Sequence, residues 1–249
     1  MKQVIIIGGG IIGLSSAYYL QQAGHRVTVI DKEDFHHNCS YGNAGYVCPS
    51  HFVPLATPGI IWKGLKWMFN SKSPFYVQPS LNGALIDWGV KFAKSATGKH
   101  VKTSAIPLRD IALLSQKEYE QWATVPGFDF AYEHKGLLEI FQTAPVAEHA
   151  RHLVEKAHRL GLDTVLLDTA ALQQLEPHTE INALGAILFR CDAHLYPQKL
   201  MQGLLKILRE KEVQLLGNEE VVRFEKAGNS IQKVITAKNA YEAEEVVIA

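Results

Sequence analysis

The chain has 249 residues, of which 47% are hydrophobic and 20% charged, a composition that supports a packed core and excludes a wholly disordered protein. Its 25 basic and 25 acidic side chains cancel, which argues against a nucleic-acid-binding protein because such domains usually carry a basic excess. The three cysteines, Cys39, Cys48 and Cys191, form no C-x-x-C pair, so we expect reduced thiols in a cytoplasmic protein.

The first thirty residues predict a strand, a helix and a second strand. Residues 2–7 form a short apolar run typical of a buried parallel strand, and residues 11–23 predict a helix that ends at Gly24. Residues 26–30 contain β-branched side chains and predict the second strand. This order is the smallest unit of a doubly wound sheet, so we expect an α/β protein.

The rest of the chain carries weaker patterns. Residues 32–58 show no period, and a loop of this length is usually functional or disordered. Residues 128–133 and 136–141 predict a pair of strands that turns at His134 and Lys135. The other predicted elements are helices at 59–69, 81–95, 106–123, 144–160 and 197–210, and strands at 184–190, 219–224, 230–236 and 244–248.

We expect these elements to form two lobes. The first strand–helix–strand unit and the last strands predict a Rossmann-like nucleotide-binding lobe, made of residues 1–80 and 195–249 and therefore discontinuous in sequence. Residues 81–194 predict an inserted α+β lobe that would carry the substrate. The predicted fold class is thus α/β, with a Rossmann-like lobe and an inserted α+β lobe.

A glycine motif follows the first strand. Gly8 permits a tight turn, Gly10 leaves room for a pyrophosphate beside the backbone, and Gly13 lets the helix pack against the strand. Asp31 ends the second strand, where its carboxylate can accept both hydroxyls of an adenosine ribose and would repel the 2′-phosphate of NADP. The cofactor candidates from this motif are Gly8, Gly10, Ile11, Ile12, Gly13, Asp31 and Lys32.

The motif alone is compatible with FAD, with NAD or with a glycine turn that holds no ligand, and the following loop separates these alternatives. Ser40, Asn43, Ala44 and Gly45 form a Ser-x-x-Asn-Ala-Gly segment. This segment resembles the loop after the second strand in FAD-dependent D-amino acid dehydrogenases, which belong to the D-amino acid oxidase and glycine oxidase superfamily. Residues 58–69 and, less specifically, residues 192–197 resemble the same family.

The resemblance implies an FAD-dependent oxidoreductase. It places Ser40, Asn43, Ala44 and Gly45 along the pyrophosphate, ribityl and flavin parts of FAD, and the backbone of Val221 at the adenine. The implied reaction oxidises a D-amino acid, or a related amine or imino acid, at Cα by hydride transfer to the flavin, and gives a 2-oxo acid and ammonia. It assigns no catalytic residue, leaves the electron acceptor and oligomeric state open, and does not separate dehydrogenases from oxidases.

Three residues are candidates for substrate contact. Tyr46 and His51 follow the Ser40–Gly45 loop, and each has an alternative interpretation as a packing residue. Arg190 could pair with a substrate carboxylate, but a surface arginine at the end of a strand is an equal alternative. We expect no metal site, because the histidines at 149, 152 and 158 have no acidic or cysteine partner at ligand spacing and fit a solvated helix face.

The predicted helix at 59–69 is basic and aromatic, with Trp62, Lys63, Lys66 and Trp67. It could lie on a membrane surface, at the inner face of the membrane, as the respiratory-chain members of the family suggest. Packing beneath the inserted lobe is the favoured interpretation, because the helix is short and its charge is modest.

The chain ends at Ala249, where family members continue beyond the strand that residues 244–248 predict. We therefore expect an N-terminal part of a longer flavoprotein, with the C-terminal part of its FAD lobe missing, or a site that a second chain completes. Two alternatives from other functional classes stay open. One is an NAD-linked dehydrogenase, and the other is a cofactor-free fragment without activity.

Overall fold

The computed structural model describes residues 1–68 and 82–249. The chain divides into two compact units. Unit 1 consists of Met1–Tyr46, Glu120–Glu133 and Leu195–Ala249, and unit 2 consists of Val47–Tyr119 and His134–His194. The lobes expected from the sequence stay a prediction, because compactness does not show which part holds a cofactor or a substrate. Their boundary at residues 80 and 81 lies outside the described residues, as do the predicted helix ends at 69 and 81.

The elements follow one another in this order: β1 (Gln3–Ile7), α1 (Ile11–Gln22), β2 (Arg26–Ile30), β3 (Tyr46–Val47), α2 (Ile60–Met68), α3 (Gly83–Ser95), α4 (Gly98–Ala123), β4 (Leu137–Phe141), α5 (Ala144–Arg159), β5 (Thr164–Asp168), α6 (Thr169–Leu175), β6 (Gly185–Phe189), β7 (Ala193–His194), α7 (Pro197–Glu210), β8 (Gln214–Leu216), β9 (Val221–Ala227), β10 (Ser230–Thr236), β11 (Ala240–Glu242) and β12 (Glu245–Ile248).

Unit 1 is built on a four-stranded parallel sheet in the order β12-β1-β2-β8. The central strands are apolar except for Gln3, Arg26 and Thr28, as expected when both faces of a parallel sheet are covered. Helix α7 contributes an apolar stripe that includes Leu200, Leu204 and Leu208 at helical spacing, all of them buried. The α/β fold expected from the sequence is confirmed.

A second layer of unit 1 is antiparallel. Strands β11, β10 and β9 form a three-stranded meander-like sheet. Its Val234 and the neighbouring Ala243 pack against Ile5 and Ile30 of the parallel sheet. This contact fixes the start of β9 beside the carboxyl ends of β1 and β2, where a doubly wound sheet usually binds its ligand.

Unit 2 contains an antiparallel sheet with β6 between β4 and β5. Helix α5 packs on this sheet through Ala150 and Val154, which contact Phe141, Ile187 and Phe189. Proline at the beginning of α5 and a following Gly161 with positive φ explain why the helix was predictable from the sequence.

One predicted strand is wrong. Residues 128–133 do not form a strand, and β4 pairs with β6 instead. The alternation of apolar residues there comes from an aromatic cluster in which Phe128 and Phe130 are buried, with ring centroids 4.9 Å apart. Trp122 packs against Phe128, and Ala131 adopts a φ of +52°, which no strand allows.

Other differences concern helix and strand boundaries. Helix α4 begins at Gly98 rather than at 106, and Pro107 lies inside it instead of in the first turn. The sequence patterns also missed β3, β5, α6, β7, β8 and β11, which have two to seven residues each and show little periodicity. No helix within residues 1–68 and 82–249 is both long and apolar enough to cross a membrane.

Candidate functional site

The turn between β1 and α1 needs glycine at two positions for steric reasons. Gly8 has a φ of +112°, and a Cβ there would clash with the carbonyl oxygen of Ala249. A Cβ at Gly13 would clash with the carbonyl oxygen of Gly8. Because both contacts involve backbone atoms, glycine at position 8 is needed for the turn to pass beside Ala249, and glycine at position 13 is needed for α1 to begin directly against the turn.

The first turn of α1 is partly capped by a residue from a distant loop. Gly10 is the N-cap residue and has no side chain that could accept a hydrogen bond. The Oγ of Ser40 accepts one from the backbone N–H of Ile11 at 3.0 Å, and it lies 3.3 Å from where a Cβ of Gly10 would stand. The side chain of Ile12 is exposed. The beginning of this helix therefore presents N–H groups and a positive dipole end, which suit a phosphate.

Asp31 follows β2 and is half-buried. One oxygen of its carboxylate, Oδ2, accepts a hydrogen bond from the N–H of Gly9, and Oδ1 accepts one from the N–H of Glu33 at 2.7 Å. Each carboxylate oxygen has a second lone pair, so both can still accept a hydroxyl. Two backbone donors thus fix the carboxylate beside the glycine turn, and Lys32 beside it is exposed.

The loop from Ser40 to Gly45 is held by an asparagine side chain. The amide of Asn43 donates to the carbonyl of Ser40 at 2.7 Å and accepts from the N–H of Gly45 at 2.8 Å. The carbonyl of Gly45 accepts the N–H of Leu195 at 2.8 Å, and Ala44 is exposed. These bonds give the loop one conformation, as Asx turns do.

Asn38 was not singled out from the sequence, although it ties the same loop to the glycine turn. Its Oδ1 accepts the N–H of Ser40 at 3.0 Å, and its Nδ2 donates to the carbonyl of Gly9 at 3.4 Å. The available signal was an asparagine two residues before Ser40, the spacing of an Asx turn.

Val221 begins β9 and is half-buried in the cluster that joins the two sheets of unit 1. Two residues earlier, Glu219 is 5% exposed and donates its backbone N–H to the carbonyl of Asp31 at 2.9 Å. Its Oε1 accepts hydrogen bonds from Thr236 at 2.6 Å and Tyr241 at 2.8 Å, and a longer one from Asn239. Glu219 therefore joins the antiparallel layer to Asp31, a link that the sequence did not reveal.

The hydrogen bonds also set the ionisation of Glu219. Burial opposes its charged form, but the donors Thr236, Tyr241 and Asn239 together outweigh burial, and the pKa of Glu219 lies below its usual value. The carboxylate is therefore charged at neutral pH.

The predicted residues fall into two groups. Unit 1 contains the glycine turn, Asp31, the Ser40–Gly45 loop and Val221. Tyr46 is exposed and is the last residue of the Met1–Tyr46 segment of unit 1. His51 and Arg190 belong to unit 2, and both are exposed. The carbonyl of Arg190 lies 3.0 Å from Nε2 of His134.

Unit 2 holds a buried carboxylate that sequence reasoning missed. Asp192 is 0% exposed and accepts hydrogen bonds from the N–H of Ser50 at 3.0 Å and from the Oγ of Ser50 at 2.6 Å. The thiol of Cys191 also bonds to it, with Sγ 3.5 Å from Oδ1, and the sulfur of Cys48 lies within 4.8 Å of the carboxylate. Burial, reinforced by the charge of Asp192, raises the pKa of each thiol to about 12.

The helix histidines do not converge in the structure. On α5, His149 and His152 are exposed, and His152 lies 3.8 Å from Glu155. His158 instead contacts the carbonyl of Thr164 at 2.7 Å through Nε2. On α2, Trp62 is 66% exposed and the ammonium of Lys66 lies 5.7 Å from the centre of its ring.

Comparison with known proteins identifies the family. A profile described as FAD dependent oxidoreductase matches residues 3–249. The chain belongs to the FAD-dependent oxidoreductase family. Its cofactor is FAD, which the sequence predicted.

Relatives of this flavoprotein include two bacterial D-amino acid dehydrogenases. The protein of Helicobacter pylori is 34% identical over 248 residues, which cover 100% of this chain and 59% of the relative. The protein of Neisseria meningitidis serogroup C is 30% identical over 251 residues, which cover 99% of this chain and 60% of the relative. The chain thus spans about three fifths of the length of these relatives.

Solved structures of the same fold include amino-acid-oxidising enzymes. Glycine oxidase from Geobacillus kaustophilus has a TM-score of 0.68 at 18% identity, with 100% of this chain and 55% of that chain covered. L-amino acid deaminase from Proteus vulgaris with its specific insertion sequence deleted has a TM-score of 0.70 at 14% identity, with 100% of this chain and 52% of that chain covered. At these identities the likeness shows the fold, and the α/β FAD-binding fold expected from the sequence is confirmed.

The residues at the glycine turn of this flavoprotein fit the adenosine and pyrophosphate half of FAD. Gly10 leaves open space toward Ser40, and the helix beginning beside it suits a phosphate. The carboxylate of Asp31 is held by two backbone donors with lone pairs to spare for ribose hydroxyls.

Proposed function

We propose that this chain is, or belongs to, an FAD-dependent oxidoreductase that oxidises a D-amino acid, or a related amine or imino acid, at Cα. When bound, FAD supplies the acceptor for the Cα hydride, and the resulting imino acid reacts with water to give a 2-oxo acid and ammonia. The similarity to D-amino acid dehydrogenases over the whole chain supports this substrate class.

One observation carries the proposal. The glycine turn, the fixed carboxylate of Asp31 and the Ser40 loop meet at the beginning of α1, within a single compact unit. Each supplies a different recognition element, namely a positive helix end, a ribose acceptor and a small polar loop. Together they match the demands of a dinucleotide better than those of a structural turn.

We assign the roles as follows. The N–H groups between Gly10 and Gly13 bind the pyrophosphate, with Ile11 and Ile12 between them, and Asp31 accepts the ribose hydroxyls, with Lys32 beside it. Ser40, Asn43, Ala44 and Gly45 line the pyrophosphate, ribityl chain and flavin. The backbone of Val221 contacts the adenine. The geometry supports these roles through the backbone bonds that hold each group in place.

The substrate side follows from the same proposal. We infer that Arg190 pairs with the substrate carboxylate and that Tyr46 and His51 face the substrate, since all three are exposed. In this arrangement residues 1–80 and 195–249 hold FAD, and residues 81–194 cover the substrate. No residue is assigned as catalytic acid or base, because hydride transfer to a flavin requires none.

A membrane contact of α2 is a separate part of the proposal. Its exposed Ile61, Trp62 and Trp67 beside Lys63 and Lys66 give it aromatic and basic surface. Flotation with anionic and neutral vesicles tests this contact, and equal recovery in both, or none, would contradict it. The cytoplasmic location expected from the cysteines stays a prediction.

The test of the function uses the purified chain. We expect visible flavin absorbance, or its recovery after reconstitution with FAD, and dye-linked turnover of D-amino acids but not of their L-enantiomers. A colourless protein that FAD does not reconstitute would contradict FAD binding by this chain. Bound FAD with turnover only of L-amino acids would support the cofactor and contradict the proposed substrate class.

A further inference from the structure

A thiol, an imidazole and a carboxylate come together in unit 2. Cys48, His51 and Asp192 each offer one ligand atom, and these atoms all lie within 4.8 Å of one another. Cys48 and His51 share a tight turn, in which the N–H of His51 donates to the carbonyl of Cys48 at 3.1 Å. Asp192 is brought to this turn by its two hydrogen bonds with Ser50.

We propose that Cys48, His51 and Asp192 form a binding site for Zn²⁺ or a divalent cation of the same ligand preference, with a fourth position open. Thiolate, imidazole and carboxylate are the three side-chain ligands of zinc, and three protein ligands with one open position are typical of reactive zinc sites. The site is distinct from the FAD-binding residues of unit 1 and from the histidines of α5, and it includes His51, which the proposed function places beside the substrate.

The first argument concerns charge. Asp192 is completely buried, and a buried carboxylate normally pairs with a cation or coordinates a metal. The hydrogen bonds that hold it come from the neutral donors of Ser50 and Cys191. A divalent cation would supply a positive charge beside it.

The second argument concerns the lone pairs of Asp192. A carboxylate has about four acceptor positions. Ser50 fills two of them and Cys191 a third, through its Sγ at 3.5 Å. One acceptor position of Oδ2 is left, and the sulfur of Cys48 lies within 4.8 Å of the carboxylate. When the cation binds, the Cys48 proton leaves to solvent, the sulfur becomes a thiolate ligand, and the cation lies between the thiolate and the carboxylate.

The third argument concerns reach. Ligand atoms around one zinc ion lie about 3–4 Å apart, because zinc–ligand bonds are about 2.0–2.3 Å long. The distances between the ligand atoms of Cys48, His51 and Asp192, now up to 4.8 Å, therefore have to shorten by about 1 Å. The side chain of His51 is exposed and can rotate, whereas Asp192 is held by Ser50. Rotation of the exposed imidazole, whose Nδ1 lies 3.4 Å from the Oγ of Ser50, toward the held carboxylate would give this closure.

Cobalt substitution tests the site in the full chain. We expect one Co²⁺ per chain, with a thiolate-to-cobalt charge-transfer band in the difference spectrum, and displacement of Co²⁺ by Zn²⁺. Cys48→Ser should abolish the band. The matched control Cys39→Ser removes an exposed cysteine outside the cluster and should leave the band unchanged. Absence of the band in the unmodified chain, or its persistence in Cys48→Ser, would overturn the proposal.

A second variant tests the site at an exposed residue, where a substitution leaves the fold intact. His51→Asn alters an exposed side chain, and we expect a fall in Zn²⁺ affinity of about tenfold or more, measured by competition with a chromophoric chelator. His37→Asn, also exposed but outside the cluster, should leave the affinity unchanged. An unchanged affinity in His51→Asn, or equal losses in both variants, would assign the bound metal to unspecific surface histidines and overturn the site.

Discussion

Asp31 accepts hydrogen bonds through both carboxylate oxygens, and both donors are backbone N–H groups. Its orientation is therefore fixed before any ligand arrives. A fixed acceptor loses little freedom on binding, so each hydrogen bond to a ribose contributes more to affinity than one from a mobile side chain would.

Asp31→Asn should weaken FAD binding by roughly 10- to 100-fold. The amide keeps one acceptor oxygen and places an NH₂ where the other oxygen now accepts, and one hydrogen bond to a charged group contributes about 1.5–3 kcal/mol. Titration of the protein with FAD measures the change. The control is Asp34→Asn, whose carboxylate bonds to the exposed His37 in the same loop. Equal losses in the two variants would mean that the loop, rather than the ribose contact, was disturbed.

Glu219 gives the protein a defined dependence on pH. Its folded-state pKa lies below its usual value, so the stability it contributes is fully present above pH 4.5 and is lost as the pH falls through the folded-state pKa. The free energy of unfolding should therefore decrease in acid partly through this one residue.

Glu219→Gln should lower the free energy of unfolding at pH 7 by about 1–3 kcal/mol, because Thr236 and Tyr241 lose a charged acceptor. The difference from the unmodified protein should narrow below pH 4.5, as urea unfolding at several pH values would show. The exposed neighbour Glu220→Gln is the matched control. A difference that stays constant with pH would show that ionisation of Glu219 is not involved.

At the scale of elements, α1 depends on one steric contact. The helix can begin beside β1 only because Gly13 has no Cβ to meet the carbonyl of Gly8. The contact is rigid on both sides, so relief requires movement of the whole helix.

Gly13→Ala should therefore destabilise the protein and weaken FAD binding, although alanine is the better helix former. Gly89→Ala is the matched control, because a Cβ at Gly89 in α3 has no atom within 4 Å. There the substitution should stabilise by up to about 1 kcal/mol through helix propensity alone. Thermal unfolding of both variants measures the difference. Stabilisation by Gly13→Ala would contradict the close approach.

Elements with a strong local signal were predictable from the sequence. β1, α1 and β2 carry an apolar run, a glycine stop and β-branched residues within thirty positions, and α7 carries proline at its beginning and a regular apolar stripe. The strand predicted at residues 128–133 was wrong, because aromatic residues that pack in the tertiary structure alternate there as apolar residues do in a strand.

At the scale of the whole molecule, the predictable part of the candidate site is the part that is local in sequence. Gly8 to Asp31 could be found because spacing defines the motif. The bonds of Asp31 with the Glu219 segment and of Ser50 with Asp192 join residues far apart in sequence. No local pattern encodes such pairs, so only the structure reveals them.

FAD should stabilise the folded chain, whereas NADP should not. A ligand at a 100-fold excess over its dissociation constant adds about 2.7 kcal/mol to the free energy of unfolding. We expect a smaller shift in melting temperature with FMN, because FMN lacks the adenosine that Asp31 would hold. Thermal unfolding of the protein with FAD, FMN and NADP measures the three shifts in melting temperature. Equal shifts for FMN and FAD would contradict an adenosine site at the glycine turn.

The pairing of β1 with β12 has a consequence for synthesis of the protein. Val4 pairs with Glu245, so one edge of β1 is covered by a strand that is made about 240 residues later. Ribosomes add about 5–20 residues per second, so on the order of 10–50 s separate the appearance of the two strands. During that time β1 can pair with β2 on one side only. Its other edge, apolar and unpaired, is a surface that molecular chaperones would have to shield in the nascent chain.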